Sequence, residues 1–537
     1  MSKKHLLFGL IIVIIIFYSL PLFFIKNILA SHDEKFIIDL TLSLPLNKFA
    51  MPVNYYGPLQ SYILLFFYSL LLIPGYLFNN GGIDYVKNIY VNNPQILLLI
   101  SKIASFLLFV SSIYIWKIIA QKTNWRFSTK LFLILTLFFT PILYSFATTV
   151  KVELLAILLV SLIILCYLNY SEKPTIYNFI MLSVSTALLF SVKYNLIVLA
   201  VIPLSIFVLN FFSHKSLKRV IVTLFSFSIL VILAITISMP VLIIQPKIFI
   251  SDFKYIFSIL ELGHIGWQFD NSPIANLKSF INIFYLNMPA IFFIILPLAI
   301  FYFIKLKKNI PIIVGIFIFF IFMFKWKFKL AHYFLPVIPF ILFISADYFD
   351  KLQTRKLRII ILLFLFVSIF HIKHSISYLK TYFVKDNRII TKEYIEKNIP
   401  AGSRILLEDI YNYSPYILPS EMPVEYDAPD GEHRKRLKRK YFQLLIDYGK
   451  APKYKLTFLN VPLEGKRLLT FDFPDENYLR ANFDYAIINR NISSRFENLK
   501  SKNQNGFIEK ARHFYFNVLD KLNCERGGYF KIYKTSK

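Results

Sequence analysis

The sequence predicts a polytopic α-helical membrane protein with about eleven spans, additional juxtamembrane helices and a small C-terminal α/β domain. Three observations lead there. The 537 residues are 56% hydrophobic and 18% aromatic, with a mean hydropathy of +0.57, beyond what soluble globular chains reach. Apolar runs recur from the N-terminus to about His371 without the alternation of a membrane β-barrel, so the backbone must satisfy its hydrogen bonds as helices. From about Thr381 charges interleave among short apolar runs and no further span is predicted.

The first apolar segment, within MSKKHLLFGLIIVIIIFYSLPLFFI, has a basic start and the ~20 residues of a full span. No small-residue cleavage site follows it, so it is expected to be an uncleaved first helix with a cytoplasmic N-terminus. The stretch 26–80 comes next and contains SHDEKFIIDLTLSL, which reads as an amphipathic helix. Further spans are expected at Ile96 to Ile119, Leu131 to Thr149, Leu154 to Tyr170, Ile176 to Ser191, Leu196 to Phe212 and Val220 to Leu242. The last four are Ile281 to Ile304, Ile310 to Phe324, Tyr333 to Phe349 and Ile359 to His371.

Leu59 to Phe78 decides the topology. If it crossed, the basic loops 121–130, 213–219, 305–308 and 350–358 would all lie outside, against the tendency of Lys and Arg to stay in the cytoplasm. A surface or re-entrant helix there returns all four to the cytoplasm. The expected product is an integral protein of a bacterial inner or plasma membrane. Residues 1–375 form its transmembrane domain, with external loops at 26–80 and 245–280, and 376–537 form a periplasmic or extracellular α/β domain. Strands are expected at Ser403 to Glu408, Phe483 to Ile488 and Tyr529 to Tyr533.

The net charge of +29 sits mostly in short loops, where it fixes topology, and therefore does not point to nucleic acid. Cys166 and Cys524 are too few for a disulfide framework or a thiolate metal site. No GxGxxG, GxxxxGK or HExxH occurs, and no Asp-x-Asp bridge to a sugar nucleotide, so no nucleotide cofactor is expected. The basic run Arg434 to Lys440 reads as a solvated helix face or as a contact for anionic headgroups.

Carboxylates beside a membrane are costly and are retained mainly for function. Asp33 and Glu34 are adjacent, so on a helix they point about 100° apart and take different partners. One can accept a proton from an acceptor hydroxyl or amine while the other orients the acceptor or a divalent metal. Alternatively, both only cap the helix that follows. The same expected outer side carries Lys151-Val-Glu153, Lys193-Tyr-Asn195, Lys325-Trp-Lys327 and His332, where cations either meet an anionic ligand or snorkel to the interface. Asp252, His264, Trp267 and Asp270 lie in the second external loop.

Asp-Glu after the first span, followed by a juxtamembrane helix and a Pro-Leu, resembles the polyprenyl-phosphate-sugar glycosyltransferases of the GT-C superfamily. The nearest group is that of protein O-mannosyltransferases and lipid A aminoarabinose transferases. Phe146 to Glu153, Leu188 to Tyr194 and His332 to Pro339 are similar to further motifs of that group, in the same order. The resemblance implies a polyprenyl-phosphate sugar donor, inverting transfer to a lipid, glycan or protein acceptor outside the cytoplasm, and often a divalent metal. By it Asp33 is the base, and Glu34, Glu153 and His332 support acceptor or metal, with Asp33, Glu34 and Glu153 as metal ligands. Lys193, Lys102, Lys325 and Lys327 hold the donor phosphate. The chain departs from the pattern where the group's opening [HK]-P-P-L reads Tyr56-Gly-Pro-Leu59, and where its tyrosine after the acidic pair is missing from Lys35-Phe-Ile37. Two other readings remain, a transporter or flippase of a lipid-linked saccharide and a polymerase or ligase using a lipid-diphosphate oligosaccharide. The clustering of carboxylates at one rim and the absence of a visible repeat favour the transferase.

Overall fold

The computed structural model describes residues 3–45, 49, 56–70, 72–79, 82–214, 217–262, 272–289, 291–325, 331–367, 369–408, 415–426, 432–459, 472–490, 505–526 and 530–535. Among these, five helices are long and apolar enough to cross a bilayer: His5–Asn27, Pro94–Lys122, Val152–Glu172, Val220–Ser238 and His332–Lys351. They make the chain an integral membrane protein. In chain order, α1 (Lys3–Ser19) runs on through a 3₁₀ stretch, Leu20–Asn27, to α2 (His32–Ser43), α3 (Leu59–Ser69), α4 (Leu72–Asn79) and α5 (Gly82–Asn92). Then come α6 (Pro94–Lys122), α7 (Phe127–Phe138), α8 (Pro141–Ala147), α9 (Val152–Glu172), α10 (Ile176–Val192), α11 (Val201–His214) and α12 (Leu217–Ser238). The helical part closes with α13 (Val241–Ile244), α14 (Pro246–Leu262), α15 (Pro273–Asn287), α16 (Phe292–Lys305), α17 (Ile310–Lys325), α18 (Ile338–Lys351), α19 (Arg355–Val367) and α20 (Ile369–Phe383).

Helix α9 is the axis of the bundle. It is apolar on every side and packs between α6 and α10, with Leu154, Val160, Ile163 and Ile164 sealed from solvent and Leu158, Leu162 and Leu165 partly exposed along one stripe. Helix α6 runs parallel to it, because Lys102 bonds the Thr148 carbonyl just before α9 while Lys122 pairs with Glu172 at its far end. Helix α10 returns antiparallel, so its last residues lie beside the first turn of α9.

Two expected single spans are broken, and proline causes both breaks. The run Leu131 to Thr149 splits into α7 and α8, bent by 64°, with Thr140 extended before Pro141. The run Ile281 to Ile304 splits at Met288, which is extended before Pro289, so α15 and α16 are separate helices. Hydropathy does not register such breaks, since the apolar run continues through the proline. Leu59 to Phe78 forms α3 and α4, of 11 and 8 residues, each well short of the ~20 that a span requires. With α7 and α8 taken as one bent span the long apolar helices number six, and the other apolar runs form shorter helices of 10–17 residues.

Beyond α20 the chain forms α21 (Asn387–Asn398), β1 (Arg404–Glu408), β2 (Leu418–Pro419), β3 (Val424–Tyr426), α22 (Glu432–Tyr448) and β4 (Lys453–Leu459). It ends with α23 (Glu476–Asn482), β5 (Tyr485–Asn489), α24 (Asn505–His513), β6 (Asn523–Arg526) and β7 (Phe530–Lys534). The sheet order is β2-β4-β1-β5-β7-β6, with β3 also on β4; β1, β4 and β5 are parallel and β7 is antiparallel to β5. The three expected strands are β1, β5 and β7. This unit is tied to the end of the bundle where α2 begins. Arg388 donates to the carbonyls of Leu29 and Ala30 at 2.9 and 2.8 Å, and the Asp386 N–H donates to Asn27 at 2.7 Å. Val91 of α5 is buried in the apolar core of the α/β unit, and Asn92 donates to the Tyr448 carbonyl at 2.9 Å.

Candidate functional site

Ser31, outside the first turn of α2, accepts from the Glu34 N–H, and Glu34 Oε2 accepts from the Ser31 N–H at 2.9 Å. This capping box fixes the helix start and with it the direction of Asp33. Glu34 therefore does cap the helix, and it does more. Its Oε1 receives the Lys102 ammonium at 2.5 Å and the Val150 N–H at 3.2 Å, joining α2, α6 and the turn between α8 and α9. Burial raises the Glu34 carboxyl, but Lys102 and the two backbone N–H bonds outweigh it and leave the group below its ordinary value.

Asp33, one residue earlier, points elsewhere and pairs with Lys151 at 2.7 Å. The third pair is Glu153, in the first turn of α9, with Lys193 at the end of α10, 2.8 Å apart. His332 Nε2 lies 3.7 Å from the same Glu153 oxygen, and Lys193 sits 4.2 Å above the Tyr333 ring. The other oxygen, Glu153 Oε2, is buried and has no hydrogen-bond partner among the described residues.

Tyr56 closes the group. Its phenol is pushed well above the ordinary value by burial and then by the charges of Asp33, Tyr333 and Glu153, so it stays protonated. Gly57 explains the departure from the Pro-Pro pattern. Its N–H donates to Val192 at 3.1 Å, and a Cβ there would lie 2.0 Å from the Ser191 carbonyl oxygen, so only glycine fits.

The fold thus gathers Asp33, Glu34, Lys102, Glu153, Lys193 and His332 at one end of the bundle, as the sequence motifs anticipate. Lys102 and Lys193, expected to hold phosphate, each pair with a buried carboxylate. Lys325 ends α17 with its side chain outside the described residues, and Lys327 lies outside them altogether, as do His264, Trp267 and Asp270. Asp252 lies on α14. Lys151 was legible in the sequence as part of a loop tip, and its pairing with Asp33 was not. Burial lowers its ammonium, yet Asp33, Glu153 and Glu34 together hold it above the ordinary value.

The residues do not fit the divalent metal that the resemblance implies. Each of the three carboxylates is turned to its own lysine. Among the described residues no group of three or more His, Cys, Asp or Glu side chains converges as metal binding requires. The three ion pairs neutralise the carboxylates locally.

No family model matches the sequence, and no curated protein does. The fold is similar to two solved structures of ArnT from Cupriavidus metallidurans. The structure bound to undecaprenyl phosphate superposes with a TM-score of 0.55 at 10% identity, covering 99% of this chain and 98% of that one. The apo structure gives 0.55 at 9% identity, covering 100% and 98%. The likeness is full-length and shows a shared fold.

Proposed function

We propose that this protein is an integral-membrane glycosyltransferase that moves one sugar from a polyprenyl phosphate to an acceptor on the outer face of the membrane, with inversion. Counting as crossings the shorter apolar helices other than α3 and α4, together with α19, gives about eleven spans. The N-terminus is then cytoplasmic, and the α/β unit and the carboxylate cluster are external. The observation that carries the reading is the unequal exposure of the three lysine–carboxylate pairs. The side chains of Lys102 and Glu34 are 2% and 5% exposed, those of Lys193 and Glu153 are 10% and 2%, and those of Lys151 and Asp33 are 16% and 31%.

The open pair can exchange partners, because an ion pair in contact with water is weak. A donor phosphate draws Lys151 to itself and frees Asp33. The Asp33 carboxylate then accepts the proton of the acceptor hydroxyl or amine as that atom bonds to the sugar C1. The bond from C1 to the phosphate oxygen breaks on the opposite face, and the lipid phosphate leaves with the electron pair and its added charge opposite Lys151. Glu153 Oε2, buried and unpartnered, is suited to accept from a sugar or acceptor hydroxyl, with Lys193 and His332 fixing the other oxygen. Undecaprenyl phosphate in the similar ArnT structure supports a polyprenyl-phosphate carrier for this chain too. The test is transfer from synthetic polyprenyl-phosphate sugars by purified protein. Asp33→Asn is expected to lower turnover by 10²-fold or more, and undiminished turnover would remove Asp33 from the chemistry.

A further inference from the structure

At the opposite end of α9 from Glu153, roughly 27 Å away along the helix axis, the bundle holds a cavity of about 460 Å³. It lies among the ends of α6, α9 and α18, the side of α11 and the tight turn between α16 and α17. That turn places Lys307 and Asn309 at φ of 51° and 52°, a left-handed conformation uncommon for residues other than glycine. The strained turn sets Lys307 and Lys308 on the cavity rim, and Lys351 at the end of α18 completes a cationic edge. Leu168, Ile206 and Phe343 supply an apolar wall beneath it.

The charges at this end are arranged asymmetrically. Asp347 lines the cavity, yet both its oxygens are taken by neutral donors, Trp125 Nε1 at 3.2 Å and Asn309 Nδ2 at 3.1 Å. Asp350, one turn on, accepts the Arg126 N–H at 2.8 Å and the Thr129 hydroxyl at 2.7 Å, both on Oδ1. Lys307, Lys308 and Lys351 form no ion pair among the described residues, although Asp347 and Asp350 lie at the same end of the bundle. A lysine that only marks topology needs neither a cavity nor carboxylates held away from it.

We propose that this cavity binds the phosphodiester headgroup of an anionic membrane lipid, with the three lysines on the phosphate and the apolar wall along the upper part of an acyl chain. Basic pockets between transmembrane helices suit such headgroups, and the mixed lining distinguishes a lipid from a free anion. The site is separate from the carboxylate cluster and stands whether or not the proposed transfer reaction does.

Native mass spectrometry of the full chain released from detergent micelles provides the test, with phosphatidylglycerol, phosphatidylcholine of the same chains, and inorganic phosphate as probes. Phosphatidylglycerol is expected to be retained about tenfold better than phosphatidylcholine. The triple variant Lys307→Gln, Lys308→Gln, Lys351→Gln should lose that preference. Lys122→Gln, which removes a lysine at the same end outside the cavity, should keep it. Equal retention of the two lipids, full retention by the triple variant, or an equal loss in Lys122→Gln would each overturn the site. Displacement of phosphatidylglycerol by millimolar inorganic phosphate would overturn the assignment to a lipid.

Discussion

Lys151 holds Asp33 at 2.7 Å in a pair that water reaches, while the neighbouring Lys102–Glu34 pair, at 2.5 Å, is closed off. Adjacent carboxylates on one helix therefore have opposite characters. Asp33 stays within reach of water, and Glu34 is sealed from it. Lys151→Gln is expected to raise the KM for a polyprenyl-phosphate sugar about tenfold, the loss of one charge-assisted contact to phosphate. Lys151→Arg should restore most of it. A KM unchanged in the glutamine variant would show that the phosphate finds its cation elsewhere.

Glu34 and Lys102 should behave as a structural unit. Lys102→Met alone leaves a buried carboxylate uncompensated and is expected to cost about 3–5 kcal/mol. Pairing it with Glu34→Gln should recover part of that loss. Thermal unfolding in detergent measures both, and additive losses would contradict a buried, mutually neutralising pair.

Gly57→Ala drives a methyl group into the Ser191 carbonyl oxygen, 2.0 Å from the added carbon. Backbone cannot yield as a flexible side chain does, so the Tyr56–Pro58 segment must shift away from the end of α10. The expected result is a loss of ~1–3 kcal/mol in stability with a fall in turnover, because Tyr56 borders Asp33 and Glu153. Wild-type melting and activity in this variant would show that the segment tolerates the displacement.

Glu408 provides a pH test of the α/β unit. It is buried at the end of β1, accepting from the Asn489 N–H at 2.7 Å and from the Tyr515 hydroxyl, and burial pushes its carboxyl up to about 7 against those two bonds. An unfolded glutamate titrates near ~4.3, so between the two values the folded unit holds a proton that the unfolded one has lost. The resulting stabilisation is complete below about pH 4 and is lost as the pH rises through about 7. Hydrogen exchange of β1 and β5, corrected for intrinsic base catalysis, should show opening that increases by up to about tenfold per pH unit across that window. Glu408→Gln should flatten the profile; an unchanged slope would assign the linkage to another group.

Much of the fold was legible because it depends on local quantities. The length of an apolar run determines whether a helix can cross, and α6 and α9 follow the runs at Ile96 to Ile119 and Leu154 to Tyr170 closely. The strand β4 was also readable, since Tyr454, Leu456 and Phe458 alternate with outward residues, but the flanking lysines obscured the pattern. The proline breaks at Thr140 and Met288 were present in the sequence as Pro141 and Pro289, and hydropathy averaging passed over them.

For the site, the sequence by itself determined which residue types reach one end of the bundle. Carboxylates are rare beside a membrane, so Asp33, Glu34 and Glu153 stood out, and helix periodicity required the adjacent pair to diverge. Only the tertiary structure decided how the charges pair. Lys102 is 68 residues from Glu34 in the chain, and Lys193 is 40 from Glu153. Nothing local distinguishes a lysine that will be sunk against a carboxylate from one that stays in reach of a ligand. That distinction depends on how deeply each helix end is packed, because burial makes an ion pair permanent and contact with water makes it exchangeable. Packing assigned Lys102 and Lys193 to the frame and left Lys151 beside Asp33.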